Sequence, residues 1–180
     1  TAQISVFIFE DNRRVNNAPD LPEEAGIPGF NLQLFEAGGS YGANGGRLLY
    51  DAFGNLLGTT YNPDGSVLTP GTGIITTDAN GVAVIKNLAP GKYTIFVTPR
   101  NNNTEQWVQT ATIEGTPGVD AWVKANEPTY FQEFGQPGHH VFIGFVKPTN
   151  DTTVLTGGRT ITGRIVNQHM SRPPEYAFYD

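Results

Sequence analysis

Residues 72–99 constrain the fold most strongly, because they contain three short strand-like runs separated by turn signals. Asn80-Gly81 supplies two residues that tolerate positive φ, and Pro90-Gly91 reverses the chain again. Between these turns, residues 82–88 are too apolar to face water on either side, and residues 93–98 form a second alternating run. We interpret the stretch as a three-stranded meander. A meander exposes a large apolar face, so the rest of the chain must supply a second sheet to cover it.

The composition favours many short strands joined by turns. The 180-residue chain contains 22 glycines and 13 prolines, and only 16% of its residues are charged. It has no cysteine, which excludes a disulfide framework and a thiolate metal site. The net charge of −6 argues against nucleic-acid binding, which needs clustered lysine and arginine. No apolar run reaches the length of a membrane span. Because residue 1 lies almost directly at a strand, we expect a processed product or a piece of a longer protein.

Alternating apolar residues predict further strands along the whole chain. These runs are residues 4–9, 30–36, 107–113, 119–124, 141–146 and 159–166. No segment offers a ten-residue helical stripe, and the turn spacing is typical of a sandwich. We therefore expect an all-β fold, a Greek-key β-sandwich of immunoglobulin-like or prealbumin-like type. Residues 1–166 form this single domain, residues 37–73 are a long insertion that contains a hairpin, and residues 167–180 are a tail.

Two motifs resemble the B-repeats of bacterial surface adhesins, the B-type domains of collagen adhesins and carboxypeptidase regulatory-like domains. The first is Gly26-Ile27-Pro28-Gly29 before the second strand, and the second is TTDANG at residues 76–81 followed by NLAPGKY at residues 87–93. The resemblance covers residues 4–99, about half of the chain. It implies an extracellular or cell-surface β-sandwich that serves as a stalk, spacer or adhesive module and usually occurs in tandem.

The resemblance also implies a candidate calcium site, because the acidic loop after the first strand binds calcium in the B-repeats. The matching oxygen-bearing residues are Asn12, Asn16, Asp20 and Glu23. However, Arg14 stands where the family pattern has an oxygen donor, and Pro19 and Pro22 interrupt the loop. A solvated loop without metal is the alternative, and the chain requires no cofactor.

Other chemistry is weakly indicated. Collagen-adhesin B-type domains often contain a Lys–Asn isopeptide bond, but the first strand here has no lysine, so we expect none. His139 and His140 are adjacent and would point to opposite faces of a strand, which predicts a structural role rather than a shared metal ion. The chain has no H-E-x-x-H motif, and its G-x-S-x-G match at residues 38–42 lies in a glycine-rich loop instead of between a strand and a helix, so we predict that it is not an enzyme. Two N-x-T sequons, at Asn102 and Asn150, are candidate glycosylation sites on predicted loops.

The end of the chain suggests assembly. Residues 159–166 are either the last strand of this sandwich or a strand that pairs with the next copy. The candidate contact residues are Ile161, Ile165, Tyr176, Phe178 and Tyr179. A compact monomer with a frayed tail is the simpler interpretation.

We therefore predict an extracellular structural module, the building block of a surface fibre or multi-domain stalk. Its partners are copies of itself or tandem domains of the same chain, joined head to tail by strand or tail contacts. The alternative is an adhesive recognition domain that binds carbohydrate or a host protein through aromatic loops at residues 37–73 and 126–140.

Overall fold

The computed structural model describes residues 1–12, 18–37, 45–101, 105–110, 117–129, 138–147 and 162–163. The chain divides into two units, Thr1–Pro148 and Thr149–Asp180. In the second unit only Thr162 and Gly163 are described, so the predicted strand at residues 159–166 and the tail lie outside the described residues. The described part of the chain contains strands and no helix, and hence no helix that could cross a membrane. The predicted all-β class is confirmed.

Two main sheets contain most of the strands. The strands are β1 (Ala2–Glu10), β2 (Asn31–Glu36), β3 (Arg47–Leu48), β4 (Thr60–Tyr61), β5 (Val67–Thr69), β6 (Ile75–Thr76), β7 (Val82–Leu88), β8 (Gly91–Thr98), β9 (Val108–Gln109), β10 (Val119–Val123) and β11 (Val141–Val146). Sheet A has the order β7-β1-β11-β9, and sheet B has the order β10-β8-β2-β3, with β6 also paired to β2. Strands β4 and β5 pair only with each other.

Sheets A and B share one apolar core, which is the arrangement of a β-sandwich. Ile8 from sheet A and Ile95 from sheet B have no exposed surface and belong to the same buried cluster. Phe30 lies in this core and meets the rings of Trp107 and Phe145 edge-on, with centroids 5.7 and 5.0 Å away. In strands such as β2 and β10 every second residue is buried, so alternation in the sequence identified these core side chains.

Strand β1 is buried on both faces. It pairs antiparallel with β7 on one side and parallel with β11 on the other, where Val6 lies opposite Val141. Its residues Ser5, Phe7 and Phe9 point away from the core and are also buried. Covered on both sides, the strand reads as a nearly continuous apolar run.

The predicted meander over residues 72–99 is wrong. Strand β6 pairs with β2 in sheet B, β7 pairs with β1 in sheet A, and β8 returns to sheet B between β2 and β10. The two turns themselves are where they were expected. At the first, Asp78 Oδ1 accepts hydrogen bonds from the amides of Asn80 at 2.8 Å and Val82 at 3.0 Å. Each turn connects one sheet to the other, which local alternation cannot reveal.

The two sequence motifs meet beside β1. The Ile8 amide donates to the Gly81 carbonyl at 2.8 Å, and the Ile27 amide donates to the Ile8 carbonyl at 2.8 Å. Gly81 has a φ of +76°, and a Cβ there would lie 2.4 Å from the Ile8 carbonyl oxygen and 2.5 Å from the Cα of Gly26. Only glycine fits this backbone contact.

Candidate functional site

The described residues do not assemble the predicted calcium ligands into one site. Asn12 and Glu23 are exposed, Asp20 is half-buried, and Asn16 lies outside the described residues. No group of three histidine, aspartate or glutamate side chains in the described ranges is arranged to hold a metal ion. Calcium binding stays a prediction from the resemblance.

The loop after β1 buries two other carboxylates, those of Asp11 and Glu24, neither of which has exposed surface. Glu24 Oε2 accepts a hydrogen bond from the Asp20 amide at 2.8 Å. Asp11 Oδ2 accepts one from the Thr110 hydroxyl at 2.5 Å, and the Asp11 amide donates to the Phe145 carbonyl at 3.0 Å. These bonds fasten the loop to the end of the sandwich, which is a structural role.

His140 belongs to a buried polar cluster with Ser5 and Glu127. The Ser5 amide donates to His140 Nδ1 at 3.1 Å, and the Ser5 hydroxyl lies 2.9 Å from the same nitrogen. His140 Nε2 lies 3.6 Å from Glu127 Oε2. A serine, a histidine and a glutamate are the residue types of a hydrolytic triad. Here, however, Ser5 is fully buried and its hydroxyl donates to the Thr129 carbonyl, so the cluster joins β1 to residues 127–129.

The neighbouring histidine has different surroundings. The His139 ring stacks on Phe7 with centroids 5.7 Å apart and meets the edge of Phe142 at 6.0 Å. The structural role predicted for both histidines is confirmed by these contacts. Sequence reasoning missed Ser5 as the partner of His140, although it is the one polar residue in the apolar run at residues 4–9.

Acid is expected to destabilise the protein from about pH 6.5 downward. Burial lowers the pKa of both His139 and His140 below 6.5. The nearby His140 lowers the pKa of His139 further, and Asp78 partly opposes that decrease. Glu127 partly opposes the decrease in the pKa of His140. The unfolded chain therefore binds more protons below pH 6.5, and stability present above that pH is lost as the pH falls. We expect the free energy of unfolding, measured in urea, to be lower at pH 5.5 than at pH 7.5.

The control for this prediction is the double variant His139→Gln/His140→Gln. Its absolute stability will be lower, but its stability should change much less between the two pH values. An equal pH dependence in the variant and the parent protein would assign the effect to other groups.

The insertion presents a group of exposed apolar side chains, which we call the insertion surface. It consists of Tyr50, Phe53, Leu56, Val67 and Leu68. Phe53 is 60% exposed and Leu68 is 62% exposed. Three of these side chains, those of Tyr50, Leu56 and Val67, line a groove of about 380 Å³ together with the polar side chains of Asn55 and Thr59.

Asp51 holds the turn that carries the insertion surface. Its Oδ1 accepts hydrogen bonds from the amides of Phe53 at 2.9 Å and Asn55 at 3.0 Å. Its Oδ2 accepts a hydrogen bond from the Tyr61 hydroxyl at 2.5 Å. Tyr50 and Leu56 form a single antiparallel bridge across the turn, so the chain reverses where the hairpin was predicted, but β3 pairs with β2 and β4 pairs with β5.

Besides the pairing of β3 with β2, two contacts attach the insertion to the sandwich. Leu57 is buried in the common core with 2% of its surface exposed. The Ala52 amide donates to the Asn87 carbonyl of β7 at 2.7 Å, and Asn87 has a φ of +60°. The insertion surface is therefore held in place by the sandwich, and neither anchor could be predicted from the sequence.

The remaining predicted sites lie outside the described residues. They are the assembly residues Ile161, Ile165, Tyr176, Phe178 and Tyr179 and the sequon residues Asn102 and Asn150. Of the two aromatic loops, residues 37–73 are described except for 38–44, and residues 126–140 except for 130–137. These sites stay predictions.

Comparison with known proteins adds no assignment. No protein-family model matches the chain, and no curated protein is significantly similar to it. The resemblance to adhesin and regulatory-like domains therefore rests on the two motifs alone.

Proposed function

We propose that the protein is an extracellular structural module, the building block of a surface fibre or multi-domain stalk that assembles head to tail. We also propose that its β-sandwich is of the Greek-key, immunoglobulin-like or prealbumin-like type. The observation that supports assembly best is the insertion surface, a group of exposed apolar side chains that the sandwich holds in place.

Apolar groups exposed together on a soluble protein commonly mark contacts with other macromolecules. Here Phe53 and Leu68 are largely exposed, whereas Leu57 between them in the chain is buried in the core. Because Asp51 and the bridge from Tyr50 already order the turn, binding a partner requires little further loss of conformational entropy.

The partner in this proposal is another copy of the module. That copy contributes the strand or tail predicted for assembly, including Ile161 and Phe178, which contacts the insertion surface of the first copy. When two copies join through two different patches, one patch of each kind stays available at the ends of the pair. Further copies can then add in the same way and build a filament.

The test is the assembly size of the double variant Phe53→Ser/Leu68→Ser, measured by sedimentation velocity over a range of concentrations. We expect the variant to sediment as single modules at concentrations where the parent protein forms larger species. The matched control is Val108→Ser, since Val108 is an apolar side chain 52% exposed outside the insertion. Deletion of residues 171–180 should act like the double variant.

A parent protein that stays monomeric at every concentration tested would contradict the proposal, as would an unchanged size distribution in the double variant. Electron micrographs of the native material give an independent check, because filaments and single particles are easily distinguished.

One observation favours the second function, recognition of a carbohydrate or a host protein. The groove on the insertion surface combines Tyr50 with the polar side chains of Asn55 and Thr59, a mixture suited to binding a ligand. A glycan array separates the two functions. A recognition domain binds particular glycans and loses this binding in Tyr50→Ala, whereas a purely structural module binds none.

A further inference from the structure

The outer face of sheet B, opposite the core, carries a second group of side chains that we call the outer strip. It consists of Gln33, Phe35, Lys92, Phe96, Asp120 and Trp122. The residues next to them in their strands, such as Leu34, Ile95 and Ala121, are buried in the core. Alternation therefore points the strip outward on three neighbouring strands, β2, β8 and β10.

Trp122 is the unusual member of the outer strip. It is 73% exposed, whereas the other tryptophan, Trp107, is 5% exposed. Large aromatic side chains are highly buried on average, so a tryptophan open to water is costly unless it contacts a ligand. The position of Trp122 is supported from one side, because Lys92 lies opposite it on β8 with Nζ 5.7 Å from the ring centroid.

The charges of the outer strip cancel within it. Lys92 Nζ lies 2.7 Å from Asp120 Oδ2, and the Thr94 hydroxyl donates to Asp120 Oδ1 at 2.6 Å. The hydrogen bond from Lys92 and then that from Thr94 lower the pKa of Asp120, which keeps it ionised and paired. Since the whole chain carries a net charge of −6, a polyanion is repelled and a neutral ligand matches this face.

The other end of the strip combines an aromatic pair with an amide. The rings of Phe35 and Phe96 meet edge-on with centroids 5.3 Å apart. Gln33 lies opposite Phe96 in the sheet, and its amide nitrogen is 3.4 Å from the Thr98 hydroxyl. Phe96 lies four residues along β8 from Lys92, the residue that pairs with Trp122. The two ends of the strip are therefore about 13 Å apart along the strands.

We propose that the outer strip binds a neutral polysaccharide, with one sugar ring stacked on Trp122. The C–H face of a pyranose is apolar and packs on an aromatic ring, while its hydroxyls need donors and acceptors at the rim. Trp122 supplies the ring, Asp120 supplies a polar group next to it on the same face of β10, and Gln33 supplies one at the other end of the strip for a further sugar of the chain. The outer face of a sheet is open along its length, which suits an extended chain better than an enclosed small molecule. This activity does not depend on assembly through the insertion surface.

The experiment measures retardation of the protein in native gels that contain hydroxyethyl cellulose, xylan or galactomannan. We expect retardation by at least one of these polymers. Trp122→Ala should weaken binding by tenfold or more. Its melting temperature should stay within a few degrees of the parent protein, because the side chain is exposed. The matched control is Val108→Ala, an exposed apolar residue outside both the strip and the insertion surface, which should be retarded like the parent.

Fluorescence provides a second readout in the variant Trp107→Phe, where Trp122 is the remaining tryptophan. Addition of the polysaccharide that retards the protein should shift its emission. The proposal is overturned if none of the three polymers retards the parent protein, or if Trp122→Ala is retarded equally. A change in oligomer size caused by Trp122→Ala would also overturn it, because the face would then contact another copy.

Discussion

Replacing Gly81 with alanine is expected to prevent stable folding or to cost about 4 kcal/mol or more. A Cβ at this position would lie 2.4 to 2.5 Å from three backbone atoms, which belong to Ile8, Gly26 and Ile27. Backbone atoms cannot rotate aside as side chains do, so β1 and its neighbouring turn must separate. The positive φ of Gly81 adds a second penalty for any side chain. Urea unfolding followed by tryptophan fluorescence measures the loss.

The matched control is Gly65→Ala. Gly65 has a similar φ of +87°, but a Cβ there would meet no atom within 4 Å. Only the conformational penalty remains, which is about 1 kcal/mol. The difference between the two variants isolates the contact between the two motifs. Equal losses would show that this contact contributes nothing.

Replacing Phe30 with alanine is expected to cost about 3–5 kcal/mol, because it leaves a cavity in the middle of the core. The Phe30 ring has no exposed surface and meets Trp107 and Phe145 edge-on. All three rings lose contacts when it is removed, and β-sheet backbones relax only partly into the space. The measurement is again the free energy of unfolding in urea.

Phe53→Ala is the control for that change. It removes the same side chain at a position 60% exposed on the insertion surface. Its ring meets only Tyr61 among the described aromatic rings, at 5.2 Å, so we expect a loss below about 1 kcal/mol. A small loss at Phe30 as well would mean that the core can repack around the missing ring.

The strands themselves were predictable because alternation is a local signal. The apolar pattern of a strand with one or two buried faces occurs at residues 4–9, 82–88 and 141–146. Each of these segments is a strand in the structure. The turn at residues 78–81 was equally clear, since Asp78 closes it through its own carboxylate. These features depend on a few neighbouring residues.

The pairing of strands was not predictable in the same way. Strand β7 is as apolar as any strand of a meander, yet it pairs with β1, where Ile85 lies opposite Ile4, 81 residues earlier in the chain. Which sheet a strand enters depends on contacts that are distant in sequence. Adjacent strands pair often, but this is a tendency rather than a rule.

The candidate sites were also predictable only where they depend on neighbouring residues. The loop of residues 37–73 was identified by its length and composition, but its anchors through Leu57 and Asn87 depend on the folded sandwich. Trp122 lay in a strand that was correctly predicted, and only the structure shows that it is left exposed. A short strand with aromatic residues has the same pattern whether its outer face is covered or bare.

The parallel pairing of β1 with β11 has a mechanical consequence. When the first unit is pulled from residue 1 and from residue 147, the two strands are drawn in opposite directions along their length. Their hydrogen bonds, from Val6 opposite Val141 to Glu10 opposite Phe145, are then loaded together in shear instead of being unzipped one by one. A ladder loaded in this way resists tension, which is the property that a link in a stretched tether requires.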